Sequence, residues 1–188
     1  MKPLAGVAHA FFSTPLGDCG LAWTDRGLAW LQLPEASPEA TRARLSALTG
    51  SSPASAPPPW VRDAIARVTR LLQGHDEDLS NIPLDLERAP PFFRRAYEAS
   101  RAIPRGQVWT YAELAAAAGS PAATRAAGQA MAKNPLPILV PCHRVVGSGG
   151  KPGGFSAAGG LDTKARLLAI EGAPALTQMS LKTRPTAP

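Results

Sequence analysis

The feature that most restricts the fold of this chain is a pair of short helical segments joined by Gly119-Ser120-Pro121. Thr110 precedes the first segment and Glu113 follows three residues later, which is the capping-box pattern that begins a helix. Gly119 ends that helix, and the second segment extends from Ala122 to about Lys133. Two short helices with a tight connection predict a helix-turn-helix. Many helical hairpins bind nothing, so the pattern by itself leaves both a DNA-binding and a purely structural role open.

The rest of the chain divides into an α/β half and a mainly helical half. A strand is predicted over Val7 to Phe12, a hairpin around Thr24-Asp25-Arg26, and a last strand over Leu84 to Leu86. Further helices are predicted over Pro38 to Leu48, Trp60 to Leu72, Pro91 to Ala102 and Asp162 to Ile170. We therefore expect an α+β protein with three parts. These are a small α/β domain over residues 1–90, a mainly helical domain with the helix-turn-helix over residues 91–173, and a disordered tail over residues 174–188.

Charge is distributed unevenly between the two halves. Residues 1–91 hold eight Lys or Arg and ten Asp or Glu, a net charge of −2. Residues 92–188 hold twelve and four, a net charge of +8. A half-chain this basic suits a polyanion, of which nucleic acid is the commonest. A basic surface that serves only solubility would have the same composition.

Cysteine content and hydropathy exclude several classes of protein. Two cysteines exclude a disulfide framework, and no Cys/His spacing resembles a zinc site. His9 and His75 do not form a ligand set with Cys19, so we interpret Cys19 as structural and expect no metal. No run of 18 apolar residues is present, so we expect no membrane segment and no signal sequence at Leu4 to Phe12. We expect a monomer in a reducing compartment, the cytoplasm.

Cys142 lies in the segment whose residue types are best suited to catalysis. It is flanked by His143 and Arg144 and follows an apolar run interrupted by prolines. A nucleophilic thiol must become a thiolate, which a neighbouring base or cation promotes. A base would in turn need an orienting carboxylate, and Glu171 is a reasonable candidate. From these residues alone, a reactive and a structural Cys142 are equally well supported.

The second helix of the predicted helix-turn-helix has a face of small residues. Ala126, Ala127 and Gly128 follow Arg125 directly. Such a face allows close approach to another surface, which is either a neighbouring helix or a DNA groove. In the second case Arg125 would reach the bases.

The segment Pro141-Cys142-His143-Arg144-Val145, with Asn134-Pro135 upstream, resembles a known active-site signature. It is that of the 6-O-alkylguanine-DNA alkyltransferases, also called methylated-DNA–protein-cysteine methyltransferases. The resemblance extends from Phe92 to about Gly172 and includes the helix pair. The amino-terminal half is weakly similar to the family's RNase H-like α/β domain through Thr14 to Gly17 and the hairpin that follows.

The resemblance implies a reaction with double-stranded DNA. A 6-O-methylguanine base would be flipped out of the duplex through the minor groove, and its alkyl group would be transferred to a cysteine. The thioether is not reversed, so each molecule would act once and would need no cofactor. O4-methylthymine is a second candidate substrate.

The resemblance also implies roles for individual residues. Cys142 would be the alkyl acceptor, His143 a base acting through water, and Glu171 the residue that orients His143. Asn134 would tie the turn before Cys142 to the helix-turn-helix, and Tyr111 would crowd a DNA phosphate and give a proton towards the purine. The remaining DNA contacts would be Thr124, Arg125, Ala126, Ala127 and Gly128. The guanine pocket would include Val145, Phe155, Ser156 and Met131.

The loop that would wall the guanine pocket departs from the family pattern. Phe155 stands where many members have Tyr, and the stretch up to Gly159-Gly160 is about two residues longer than usual. Two other classes of protein remain as alternatives. One is a DNA-binding module that only senses damage, against which Cys142 argues because such relatives carry Trp there. The other is a Cys-His hydrolase, which would have no use for the basic half.

Overall fold

A computed structural model describes residues 7–54 and 56–173. The predicted disordered tail over residues 174–188 lies outside these residues. The described residues form two compact units. Unit 1 comprises the described residues up to Arg88 together with Pro135–Leu139, and unit 2 comprises Ala89–Asn134 and the described residues from Val140 to Ala173.

Unit 1 is a three-stranded antiparallel sheet with two helices. The strands β1 (Ala8–Thr14), β2 (Gly17–Thr24) and β3 (Gly27–Gln32) pair in chain order, and the hairpin predicted around Asp25 is confirmed. The helices are α1 (Pro38–Thr49) and α2 (Pro59–Leu72). Ser37 caps α1 through its side chain, and Gly20 lets the helix approach the sheet, since a Cβ there would lie 2.4 Å from Leu45 Cδ2. Leu45 and Leu48 thereby pack with Val7, Ala22 and Ala29 in one core cluster.

The prediction of a last strand over Leu84 to Leu86 is wrong. Only Leu84 forms a bridge, parallel to Leu28 of β3, flanked by two backbone hydrogen bonds of 2.9 and 2.7 Å. The pairing stops because the Asp85 side chain accepts hydrogen bonds from Thr24, Arg26 and the Glu87 N–H, which turn the chain away. Further along the same edge, Leu31 N–H donates to Pro135 O at 2.9 Å.

Unit 2 contains four helices among the described residues. They are α3 (Pro91–Arg101), α4 (Tyr111–Ala117), α5 (Thr124–Ala132) and α6 (Gly160–Ile170). Two short strands, β4 (Trp109–Thr110) and β5 (Val145–Val146), pair in parallel. Between α5 and α6 lie two 3-10 turns, Cys142–Arg144 and Ser148–Gly150. The α+β fold class predicted from the sequence is confirmed.

The predicted helix pair is present as α4 and α5. Thr110 and Glu113 form the predicted capping box at the start of α4, with Thr110 Oγ1 accepting from Glu113 N–H at 3.2 Å. The second helix begins at Thr124, two residues later than predicted, because the Ala123 N–H donates to Ser120 O in a turn. On α3, Tyr97 is buried and its hydroxyl donates to Ala130 O of α5 at 3.1 Å.

Candidate active site

The parallel pairing of β4 and β5 brings two chemically important positions into one region. Tyr111 follows β4 directly as the first residue of α4, and the 3-10 turn Cys142–Arg144 leads directly into β5. Tyr111 and Cys142, 31 positions apart in the sequence, therefore lie beyond opposite ends of one two-residue ladder and are close enough to interact electrostatically. Sequence reasoning did not predict β5, because two residues are too short for a periodic pattern.

Cys142 is held rigidly and is buried. Its N–H donates to Val140 O at 2.8 Å, and Val145 N–H donates back to Cys142 O. The side-chain amide of Asn134 donates to Val140 O at 2.8 Å. This bond joins the two residues that directly precede and follow the segment Pro135–Leu139. Ile138, inside this segment, is buried with φ 75°, a left-handed conformation that costs a β-branched residue about 1–3 kcal/mol.

The environment of the Cys142 thiol favours the protonated form at rest. Burial raises the pKa of Cys142 above its ordinary value. A hydrogen bond from the Asn134 side chain and the positive charge of Lys164 oppose that rise. The thiol therefore needs a base at the moment of reaction.

His143 is buried beside Cys142 and is bound to Glu171. Its Nε2 lies 2.8 Å from Glu171 Oε1, and because an ionised carboxylate only accepts, Nε2 carries the proton. Burial lowers the pKa of His143, so the ring is neutral despite the opposing effect of Glu171. Its Nδ1 is buried and has no protein hydrogen-bond partner within the described ranges. His143 thus presents an unprotonated Nδ1 that can accept a proton.

Glu171 is the centre of a buried charge network. Besides His143, it accepts hydrogen bonds from Arg144 Nε at 2.9 Å and from Arg144 Nη2 at 2.9 Å. Arg144 Nη1 donates to Ile103 O at 2.6 Å, which anchors the guanidinium. Burial opposes ionisation of Glu171, but the bonds from His143 and Arg144 outweigh it and lower its pKa to about 2. Glu171 therefore stays ionised and fixes the orientation of the His143 ring.

Lys164 is a buried cation that sequence reasoning missed. Its ammonium group donates to Val145 O and to Pro152 O, both at 2.6 Å. Burial lowers its pKa to about 8, and the nearby Cys142 opposes this. Lys164 lies three and four residues before the buried Leu167 and Leu168. This helical spacing could have predicted that the lysine lies on the apolar face of α6.

Tyr111 lies against the loop that precedes α6. A Cβ on Gly153 would lie 2.7 Å from the Tyr111 hydroxyl, so only glycine fits there. Burial raises the pKa of Tyr111, while a backbone hydrogen bond with Gly154 opposes the rise. The phenol is thus protonated and held at a defined position.

The residues predicted to contact DNA divide by exposure. Thr124 and Arg125 are exposed at the start of α5, and Ala126 and Gly128 are partly exposed. Ala127 is fully buried, so its predicted contact with DNA is wrong: it lies on the face of α5 that packs within unit 2. Of the predicted pocket residues, Met131 and Val145 are buried, Phe155 is partly exposed and Ser156 is exposed. The Val145 carbonyl is already engaged by Lys164.

The described residues also bear on the expectations about metal ligands, membrane-spanning helices and the second cysteine. No group of three or more His, Cys, Asp or Glu in residues 7–54 and 56–173 could hold a metal ion. Within the same ranges no helix is both long enough and apolar enough to cross a membrane. Cys19 is buried in β2, where burial raises its pKa to about 11 and its sulfur lies 3.7 Å from Thr14 Oγ1. This environment suits a packing role.

Comparison with known proteins gives a consistent result. Residues 91–173 match the family model described as 6-O-methylguanine DNA methyltransferase, DNA binding domain. A methylated-DNA–protein-cysteine methyltransferase of Methanothermobacter thermautotrophicus is 34% identical over 84% of this chain and 81% of its own length. One from Mus musculus is 34% identical over 93% and 85%.

Solved structures agree in fold over most of the chain. Mycobacterium tuberculosis OGT in complex with DNA has a TM-score of 0.67 at 30% identity, covering 92% of this chain and 98% of its own. The O6-methylguanine-DNA methyltransferase from Pyrococcus kodakaraensis has a TM-score of 0.65 at 27% identity, covering 89% and 99%. Because the similarity to full-length relatives extends over both units, this chain belongs to the methylated-DNA–protein-cysteine methyltransferase family.

Proposed function

We propose that this protein repairs alkylated DNA by transferring the alkyl group from 6-O-methylguanine irreversibly to Cys142. The observation that carries the proposal is the turn on which the buried Cys142 is followed by His143, with Nε2 bound to Glu171 and Nδ1 free to accept a proton. The curated relatives named above supply the reaction class, since their name states methyl transfer from DNA to a protein cysteine.

In the proposed reaction the thiol proton leaves first. His143 Nδ1 takes this proton from Cys142 through a water molecule, and Glu171 stabilises the imidazolium that results. The positive charge of Lys164 favours the thiolate electrostatically. The orientation of His143 therefore depends on Glu171, which makes Glu171 a positioning residue.

The thiolate then attacks the alkyl carbon of the lesion. An S–C bond forms as the C–O bond to the guanine breaks, and the electron pair of that bond remains on the departing base. Tyr111, protonated and held against Gly153, donates a proton to the purine ring as negative charge develops. The products are an unmodified guanine and a thioether, so the protein is consumed after one reaction.

Access to the reacting carbon requires the base to leave the stack. We infer that α5 enters the minor groove, with exposed Arg125 filling the gap in the stack and Gly128 allowing close approach. Thr124 and Ala126 would contact the adjacent backbone, and Asn134 would keep the Cys142 turn in position. The base would be held by main-chain groups near Phe155 and Ser156, with Met131 and Val145 beneath them. We propose the same route for O4-methylthymine, and a monomer as the active species.

We also propose that the protein acts in the cytoplasm. Cys142 and Cys19 are both free thiols, as a reducing compartment would keep them. An oxidised Cys142 could not accept an alkyl group.

The test is a mass measurement after one reaction. Purified protein is mixed with a duplex oligonucleotide that carries one 6-O-methylguanine, and intact and peptide masses are recorded. One added methyl group on Cys142, absent in Cys142→Ser and never found on Cys19, is expected. Binding of the damaged duplex without any mass gain would instead identify a damage-sensing module. Repeated turnover of an ester or amide without DNA would identify a hydrolase.

A further inference from the structure

Two adjacent residues of α6 donate side-chain hydrogen bonds to backbone carbonyls of the loop between the second 3-10 turn and α6. We call residues 152–159 the pocket loop. At its start, Pro152 O accepts a hydrogen bond of 2.6 Å from Lys164 Nζ. At its end, Ala158 O accepts a hydrogen bond of 2.7 Å from Thr163 Oγ1. Both ends of the loop are therefore held by one turn of one helix.

The Thr163 end of this arrangement is tightly built. Gly159 has φ 79°, a conformation that favours glycine, and a Cβ there would lie 2.4 Å from Thr163 Oγ1. The Thr163 hydroxyl thus occupies the space next to the Gly159 backbone and bonds to the preceding carbonyl. Gly160 N–H donates to Ala157 O at 3.0 Å, which completes the turn into α6.

The start of the pocket loop, next to the end held by Lys164, lies against Tyr111. Tyr111 packs on Gly153 and is hydrogen-bonded to the backbone of Gly154. Lys164, which holds the other end, also binds the carbonyl of Val145, three residues after Cys142. Phe155 and Ser156, which the proposed function assigns to the base pocket, lie between the two held ends, so outward movement of the loop would enlarge the space for the base and its alkyl group.

We propose that the Thr163 hydroxyl is a specificity determinant that holds the pocket loop in its closed position and so limits the size of alkyl group that can be transferred. The inference rests on the proposed alkyl transfer to Cys142. Lys164 anchors the fixed end of the loop near the nucleophile, and Thr163 restrains the end whose release lets the loop move. Thr163 acts through the loop, not on the reacting atoms.

The test compares two substrates in two matched variants. Thr163→Val keeps the volume of the side chain and removes the hydroxyl, whereas Thr163→Ser keeps the hydroxyl. Single-turnover rate constants are measured by mass spectrometry for the same duplex carrying either 6-O-benzylguanine or 6-O-methylguanine. In Thr163→Val the ratio of the benzyl to the methyl rate constant is expected to rise about three- to tenfold, the range set by loss of one ordinary hydrogen bond. Thr163→Ser is expected to keep the wild-type ratio.

Hydrogen–deuterium exchange provides a readout that does not depend on the reaction. The peptide covering residues 152–160 is expected to exchange faster in Thr163→Val than in the wild type or in Thr163→Ser. A rate ratio within twofold of the wild type in Thr163→Val, or equal ratios in the Val and Ser variants, would overturn the proposal. Absence of methyl transfer by the wild type would instead overturn the proposed function, and the exchange experiment would still report on the restraint by Thr163.

Discussion

Glu171→Gln is expected to destabilise the protein strongly although the side chain keeps its size. The carboxylate accepts hydrogen bonds from His143 and twice from Arg144, with donor–acceptor distances of 2.8 to 2.9 Å. Arg144 is itself held on Ile103 O and is only 9% exposed. The substitution therefore leaves a largely buried guanidinium without its counter-ion.

The magnitude follows from the pKa of Glu171. Its pKa is lowered from 4.5 to about 2, and each pH unit corresponds to 1.36 kcal/mol, so ionised Glu171 contributes about 3 kcal/mol. Loss of one partner from a buried ion pair costs about 3–5 kcal/mol, which agrees. Because the pKa is lower in the folded state, the contribution is complete above the unfolded value of 4.5. It disappears as the pH falls towards about 2.

The assay is urea denaturation followed by far-UV circular dichroism at several pH values. At pH 7 the free energy of unfolding of Glu171→Gln should be about 3 kcal/mol lower than that of the wild type. Between pH 5 and pH 3 the difference should shrink by about 2 kcal/mol in total, because the unfolded wild-type carboxylate takes up a proton that the folded one does not. Glu98→Gln, at an exposed position on α3, is the control and should change stability by less than about 0.5 kcal/mol.

Two results would contradict this reasoning. One is a Glu171→Gln variant as stable as Glu98→Gln at pH 7. The other is a stability difference that stays constant between pH 7 and pH 4, which would mean that packing and not the charge network determines the effect.

Three further predictions concern Tyr111 and its two glycine neighbours. Tyr111→Phe keeps the ring but loses the proton donor, so the single-turnover rate of methyl transfer should fall about 100-fold while damaged-duplex affinity changes less than twofold. Gly128→Ala places a Cβ 3.9 Å from the Tyr111 ring, an ordinary contact, so thermal unfolding should show a free energy of unfolding higher by roughly 0.5–1 kcal/mol. Its affinity for duplex DNA, measured by fluorescence anisotropy, should fall at least about fivefold if α5 enters a groove, and unchanged affinity would exclude that placement. Gly153→Ala would collide with the Tyr111 hydroxyl at φ 69°, so urea denaturation should show a loss of about 1–3 kcal/mol, and an unaffected variant would mean that the loop does not pack on Tyr111.

Local signals in the sequence were sufficient for most of the secondary structure. The capping box at Thr110 and Glu113 and the hairpin turn at Asp25 depend on a few neighbouring residues, and both are present. The prediction of a strand over Leu84 to Leu86 failed although apolar and polar residues alternate there as in a strand. The Asp85 side chain instead accepts a hydrogen bond from Thr24, 61 residues earlier in the sequence. Such a long-range bond has no local signature.

For the site, the residue types and, through the resemblance, the reaction they are suited to can be recognised in the sequence. The triplet Cys142, His143 and Arg144 is visible in the chain because its chemistry depends on adjacent residues. The sequence also predicts Glu171 as the partner of His143, and that contact is present. The other partners follow from the packing of distant segments, which adds Arg144 to the Glu171 carboxylate, buries Lys164 beside the turn, and turns Ala127 into the core. Burial and charge coupling arise when distant segments pack together, and the order of residues does not contain that information in any local window.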